Sequence, residues 1–332
     1  MLYQIKPKSA NYLSKSTMKI GVVMDPISSI NIKKDSTFEM ILQAQNLGWQ
    51  VEYLEMNDLS IDNGVALGDA RKLTVQADPD HWFDLEQRRR IKLGELDAIL
   101  MRKDPPFDME FVYSTYILEL AEQQGALVVN SPKALRDCNE KAYCSWFPEV
   151  CPETIITRKA SDFRAFIEKH QDIIVKPLDG MGGASIFRIQ QGSANIGVII
   201  ETLTKHETCF AMAQRYMPEI DKGDKRILMV NGEPVPYVLA RIPAQGETRG
   251  NLAAGGRGVA QPLSESDKHI ANVVGSELVK RNILFAGLDV IGDRLTEINV
   301  TSPTCIKEIN AAYDTNIALD LMNAIKAKRE SM

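Results

Sequence analysis

A chain of 332 residues is longer than one ordinary core requires and predicts two or three domains sharing a cleft. Its net charge of −5, with acids and bases interspersed, gives no electrostatic ground for nucleic acid or an anionic membrane surface as partner. The five cysteines (Cys138, Cys144, Cys151, Cys209, Cys305) are odd in number and lack CxxC or Cys/His spacing, which argues against a disulfide framework or a zinc site and fits a reducing cytoplasm.

No apolar run approaches the roughly 18 to 20 residues that span a bilayer. The segment before Met18 lacks the apolar stretch of a secretory signal, so a cytoplasmic location is expected. Residues 1–17 are polar and aperiodic and are expected to be a disordered extension.

From Met18 onward strand and helix alternate. Ile20 to Met24 reads as a buried strand stopping at Asp25-Pro26, and Ser36 with Glu39 reads as a capping box opening a helix that ends near Gly48. Val51 to Met56, Ala98 to Met101 and Ala126 to Val129 read as further strands, with a connecting helix over Met109 to Glu122. The pattern predicts a mostly parallel α/β sheet over residues 18–138, a substrate-binding domain. Ser131-Pro132 predicts a helix running through Lys141. Between Cys151 and Val259 the strands shorten (Thr154 to Thr157, Ile173 to Lys176, Ser185 to Ile189, Arg226 to Val230, Val235 to Ile242), as in α+β folds with antiparallel pairing. A helix over Ser264 to Lys280, strands at Phe285 to Ile291 and Leu295 to Val300, and a helix over Asn316 to Arg329 close the chain. Two lobes are expected here, residues 139–217 and 218–332, the second carrying a metal site and a flap over residues 243–258.

Lys176 ends an apolar strand and is followed by Gly180, Gly182 and Gly183 before the next strand. Such a loop brings backbone N–H groups close to a ligand beside a point charge, which suits phosphate oxygens, although a flexible hairpin turn would read the same. It is neither a Walker A sequence nor a dinucleotide fingerprint. Asp289, Glu297 and Asn299 supply hard oxygen ligands suited to magnesium on two strands joined by Gly292-Asp293-Arg294. A two-residue loop would set Asp289 opposite Thr296, whereas an odd loop of about three residues sets it opposite Glu297; the odd loop is expected. A solvated strand face is the alternative.

Residues Gln245 to Gly258, with Arg249, Gly255, Gly256 and Arg257, read as a mobile flap of the kind that keeps water from a reactive intermediate, with an inert linker as the alternative. Asp224 and Arg226 enter one strand and Arg241 sits on the next, so two arginines can stabilise phosphate and carboxylate groups as they meet; a surface ion-pair ladder would look alike. Gln214, Arg215 and Tyr216 form a strand-to-loop hinge able to offer backbone groups to a base edge.

The order of these clusters, from Lys141 and Lys176 through the hinge and Asp224 to Asp289 and Glu297-x-Asn299, resembles the ATP-grasp superfamily. Met24-Asp25-Pro26, Met101 to Asp108, Leu135 to Lys141, Lys176 to Phe187, Gly246 to Gly258 and Thr296 to Cys305 are similar to the bacterial glutathione synthetase family, from Met18 to the end. The resemblance implies a fold with an N-terminal parallel-sheet domain followed by a two-lobed ATP-grasp domain. It implies an ATP-dependent carboxylate–amine ligase that phosphorylates γ-glutamylcysteine and lets glycine attack the acyl phosphate. It further implies that Lys141 and Lys176 hold phosphates, that Asp289, Glu297 and Asn299 hold Mg2+, with Mn2+ as its substitute, and that Asp224 binds ribose. Arg226 and Arg241 would stabilise charge in the transfer. Arg102 is the candidate for a substrate carboxylate, and Ser302, Pro303 and Thr304 for seating glycine, although a turn that merely ends the sheet would read alike. A homotetramer is implied as well. Other ATP-grasp ligases, such as a D-alanine–D-alanine ligase, and a non-catalytic ATP-binding regulatory protein are the rival readings.

Overall fold

The apolar run after Met18 forms β1 (Lys19–Val23) in a computed structural model that describes residues 17–180, 182–244, 250 and 255–332. The extension expected over residues 1–17 lies almost wholly outside the described residues, as do Met181, Arg249 and most of the expected flap. After β1 come α1 (Ser36–Asn46) and β2 (Gln50–Leu54). Asp35, not Ser36, caps α1, its carboxylate accepting from Phe38 N at 2.6 Å. The expected capping box is therefore displaced by one residue: Ser36 accepts from Ile306 N instead, and Glu39 pairs with Lys307.

The stretch after β2, which carries no clear period, folds into β3 (Leu59–Asp62), β4 (Val65–Val75), β5 (Phe83–Leu85) and β6 (Arg89–Lys92). These pair antiparallel around the long β4. Next are β7 (Ala98–Met101), α2 (Met109–Gln123), β8 (Leu127–Val129) and α3 (Pro132–Asp137). The sheet runs β3-β4-β2-β1-β7-β8, parallel through β2-β1-β7-β8 as expected, with an antiparallel extension that the sequence reading left out. The helix expected to reach Lys141 stops at Asp137, and Lys141 instead immediately precedes a 3-10 turn over Ala142–Trp146.

A four-stranded antiparallel sheet follows: β9 (Thr154–Thr157), β10 (Asp172–Pro177), β11 (Phe187–Gln190) and β12 (Ala211–Arg215), in the order β11-β10-β12-β9. It is backed by α4 (Ala160–His170) and α5 (Ile196–Thr204). The second antiparallel sheet holds β13 (Asp224–Val230), β14 (Glu233–Ile242), β15 (Arg257–Pro262), β16 (Phe285–Ile291) and β17 (Arg294–Asn299). Its order is β15-β14-β13-β16-β17, with α6 (Glu265–Lys280) on one face. Ser264 and Asp267 close a reciprocal capping box at the start of α6. The chain ends in α7 (Ile306–Ala312), which was not foreseen, and α8 (Ile317–Glu330).

Burial divides the molecule in an informative way. One apolar cluster joins Val23, Ile99 and Leu118 to Ile227, Leu288 and Leu295, and another joins Ile20 and Phe38 to Phe285, Ile306 and Leu321. The N-terminal sheet and the C-terminal antiparallel sheet thus share their cores, whereas Phe163, Ile173, Val175 and Ile200 form a separate cluster inside the β9–β12 layer. The cleft lies between that layer and the rest.

Candidate active site

A cavity of about 310 Å³ occupies this cleft. On β10 the period of two puts Ile174 and Lys176 on one face, and the register pairs Ile174 with Gln214, so lysine and glutamine both look into the cavity. Lys176 is buried, its ammonium 3.3 Å from the carbonyl of Thr296 on the opposing sheet. Burial pushes its pKa down, opposed by the nearby charge of Glu297. Lys141 reaches the same place from the other side, bonding Gly180 O and lying 3.2 Å from Glu297 Oε1. Two ammoniums converging on one place make a ready seat for phosphates.

The glycine loop after β10 needs its glycines. Gly182 and Gly183 have φ of +62° and +81°, in the left-handed region, while a Cβ on Gly180 would stand 2.9 Å from Pro177. All three line the cavity. Gln214, Arg215 and Tyr216 line its far end beside Met217 and Ile220, an apolar wall suited to a base. Gln214 donates to Thr154 Oγ1 at 3.2 Å, and Arg215 pairs with Glu153 at 2.8 Å.

Deeper in, cross-strand pairing sets Asp224 opposite Arg241 and Arg226 opposite Asp289. Arg226 donates to Asp289 Oδ2 at 3.0 Å, Arg241 lies 2.9 Å from the same oxygen, and Arg241 also bonds Asp224. Burial alone would raise the pKa of Asp289, but the two guanidiniums outweigh it and hold the carboxyl well below the usual range. Asp224 goes the other way. Burial raises it, Arg241 only partly compensates, Asp289 adds repulsion, and its pKa is pushed up to about 7. Its Oδ1 is buried with no hydrogen-bond partner among the described residues.

The hairpin β16–β17 resolves the register question unexpectedly. Its loop is the two-residue Gly292-Asp293, not an odd one, with Ile291 opposite Arg294 and Val290 opposite Leu295. A bulge at Thr296 then restores the pairing of Asp289 with Glu297, and Gly287 faces Asn299. The expected face therefore forms for a different reason. Among the described residues no group of three or more His, Cys, Asp or Glu side chains is placed to hold a metal by itself. Two carboxylates and an amide oxygen suit magnesium, which takes few protein ligands and completes its octahedron with waters and phosphates. Asn299 donates its amide N–H to Gly287 O at 3.2 Å, leaving its amide oxygen available, and Asp289 Oδ1, bonded by Arg226 Nε while both arginines crowd Oδ2, is the oxygen that keeps a lone pair.

The prokaryotic glutathione synthetase ATP-grasp domain model matches residues 140–314, and the N-terminal domain model of the same family matches residues 18–136. The chain belongs to the prokaryotic glutathione synthetase family. It is 60% identical over 314 residues to a glutathione synthetase of Vibrio vulnificus, covering 95% of this chain and 99% of the other. It is 62% identical to that of Shewanella oneidensis over 311 residues, covering 94% and 99%. Among solved structures, a D-cycloserine synthetase matches with a TM-score of 0.66 at 13% identity, covering 93% and 99%. D-alanyl-alanine synthetase A of Vibrio cholerae matches at 0.57 and 11%, covering 94% and 98%. These last likenesses are to the ATP-grasp fold. The family and the fold make the chain an ATP-dependent ligase.

Within this glutathione synthetase family member, several expected residues sit elsewhere than foreseen. Arg102 is buried outside the cavity lining, donating to Thr37 Oγ1 at 3.1 Å and Pro303 O at 2.9 Å. Its guanidinium thus braces the turn, and burial pushes its pKa down to about 10. Pro303 is held by that bond, while Ser302 and Thr304 line the cavity. Arg257 pairs with Ile242 as the first residue of β15, so the expected flap ends in strand; Gly255 and Gly256 precede it and do not line the cavity, and Arg249 lies outside the described residues.

Other lining residues escaped sequence reasoning. Glu140 accepts from Thr301 Oγ1 at 2.7 Å, and burial together with the charge of Glu297 raises its pKa. Its position beside Lys141 was the available signal. Gly250 lines the cavity where a Cβ would meet Arg241 O at 2.3 Å, so that close approach requires glycine.

Proposed function

We propose that this chain joins the cysteine carboxylate of γ-glutamylcysteine to the amine of glycine at the expense of ATP, giving glutathione, ADP and phosphate. The observation that carries the reading is the convergence of Lys141, Lys176, Arg226, Arg241, Glu297 and Asn299 on one cavity. The five basic side chains of the lining, Lys141, Lys176, Arg215, Arg226 and Arg241, are matched in formal charge by Asp104, Glu140, Asp224, Asp289 and Glu297. A nucleotide tetra-anion entering with divalent cations leaves that balance undisturbed, whereas a free anion would not.

Lys141, Lys176 and the N–H groups of the Gly180–Gly183 loop bind the phosphates, and Gln214 to Met217 border the base, with Asp224 toward the ribose. Asp289, Glu297 and Asn299 would hold Mg2+ or Mn2+, which would supply positive charge to offset the negative charge of the phosphates. Arg226 and Arg241, rigid in their buried pairings, supply fixed positive charge where carboxylate and γ-phosphoryl approach, so little reorganisation is needed as charge accumulates. Ser302 and Thr304, on the turn braced by Arg102, border the place for glycine. Its amine is nucleophile enough that no protein nucleophile is required, and positioning carries the second half-reaction. A flap over residues 243–258 that shields the acyl phosphate from water, a homotetramer and a cytoplasmic location complete the proposal; among the described residues no helix is long and apolar enough to cross a membrane.

The test is ADP release with γ-glutamylcysteine, glycine, ATP and Mg2+, each omitted in turn, with the product weighed by mass spectrometry. ADP and glutathione appearing together, and only with all four, supports the reading. Turnover driven by D-alanine or another amino acid in place of both substrates would leave the ligase class and remove the substrates.

A further inference from the structure

Arg188 lies on β11 opposite Ile174, which lines the cavity, yet Arg188 itself does not line it. Its guanidinium carbon stands 3.6 Å from the centroid of the Tyr216 ring. On the other side Asp172 takes the guanidinium in a fork, with Nε at 3.0 Å from Oδ1 and Nη2 at 2.6 Å from Oδ2. Gln190 donates to the same carboxylate at 3.1 Å. Asp172 also accepts from Tyr216 N through its carbonyl at 3.0 Å. One residue therefore fixes both the backbone of Tyr216 and the cation that stacks on its ring.

The arrangement exceeds what strand pairing needs. Tyr216 lies just past the end of β12, before the 3-10 turn Pro218–Lys222, where a tyrosine side chain would otherwise be free to change rotamer. A planar guanidinium pinned in a carboxylate fork can lie flat on an aromatic face, and a lysine cannot reproduce that plane. With its outer face occupied, the ring is left as one stiff wall of the cavity beside Ile174, Met217 and Ile220.

We infer that Arg188 is a positioning residue for the nucleotide: held by Asp172, it stacks on Tyr216 and fixes that ring as a wall against which the base packs. The inference rests on the reading that this end of the cavity takes the base of ATP. Arg188 acts through Tyr216 and touches no substrate. Because the Arg188–Asp172 pair is about one third exposed, the stack is of moderate strength.

The experiment is steady-state kinetics at saturating γ-glutamylcysteine and glycine on wild type, Arg188→Ala, Arg188→Lys, Tyr216→Ala and the double variant Arg188→Ala/Tyr216→Ala, with a melting curve for each. Arg188→Ala is expected to raise KM for ATP about threefold to tenfold and to leave kcat within about twofold. Arg188→Lys should recover part of the loss, and the double variant should be no worse than Tyr216→Ala. An unchanged KM for ATP in Arg188→Ala, a double variant whose losses multiply, or a fall in melting temperature and kcat with KM unmoved would each overturn the inference. If Tyr216→Ala itself leaves KM for ATP unchanged, it is the base assignment of this wall that fails, a separate outcome.

Discussion

The ammonium of Lys176 lies 3.3 Å from the carbonyl oxygen of Thr296, the residue that bulges from the hairpin carrying Glu297. The irregularity that restores the Asp289–Glu297 pairing thus also turns a backbone oxygen toward the cation across the cleft. Lys176→Met should weaken ATP binding by about tenfold or more, since a phosphate contact to a buried ammonium is lost. Stability should hold or rise slightly as the cost of burying the charge disappears. Calorimetric titration with ADP checks the first expectation and a melting curve the second; undiminished ADP affinity would remove Lys176 from the phosphate seat.

Arg226 and Asp289 make a buried ion pair on neighbouring strands of the β13–β17 sheet. Arg226→Met leaves Asp289 with Arg241 alone, and the buried, half-compensated carboxylate should cost about 3–5 kcal/mol in urea unfolding. The double variant Arg226→Met/Asp289→Leu should regain most of that stability while turnover stays abolished. Restored turnover would show that the pair serves folding only.

Asp224 sets a dependence on pH with a definite sign. In the folded chain its carboxyl is pushed up to about 7, against an ordinary value of 3.8, so between those values the native state holds a proton that the unfolded chain has released. Stability from this group is therefore lost as pH rises through that window, and Asp224→Asn removes the loss. The melting temperature of the variant should gain on wild type between about pH 5 and pH 7.5. A constant difference across that range would place the Asp224 carboxyl in the ordinary range.

Glu297→Gln keeps the size of the side chain and removes its charge. We expect kcat to fall on the order of a hundredfold and the Mg2+ concentration for half-maximal rate to rise. Turnover equal to wild type at limiting Mg2+ would exclude Glu297 as a ligand.

How far the sequence discloses this site depends on the kind of signal. Lys176 with its glycine loop, and Asp224 and Arg226 facing Arg241, follow from period two and strand pairing, which are local rules. The face shared by Asp289 and Glu297 was foreseen, but through an odd loop; the bulge at Thr296 is set by contacts with Lys176 and with Asp289 O, which no local pattern announces. The partners of Arg102, Thr37 and Pro303, could not be read from the sequence because both are distant along the chain. Strands β3 to β6 were missed because most of their residues are part-exposed and charges interrupt the apolar pattern, so that pairing around β4 is what orders them. Ser36 looked like a cap and became a tertiary acceptor, since Asp35 competed for the role one residue earlier.

Asn130, just beyond β8, donates to the carbonyls of both Phe285 and Val300 at 2.7 Å and accepts from Phe285 N at 3.0 Å. One buried amide thereby rivets the parallel sheet to the open end of the hairpin that bears Glu297. With their apolar cores shared as well, these two sheets form a fixed anvil, and the layer of β9 to β12, packed on itself, is the part left to swing. Nucleotide entry and ADP departure are then expected as hinge motions of that layer, with Arg226, Arg241 and Asp289 all carried on the fixed part.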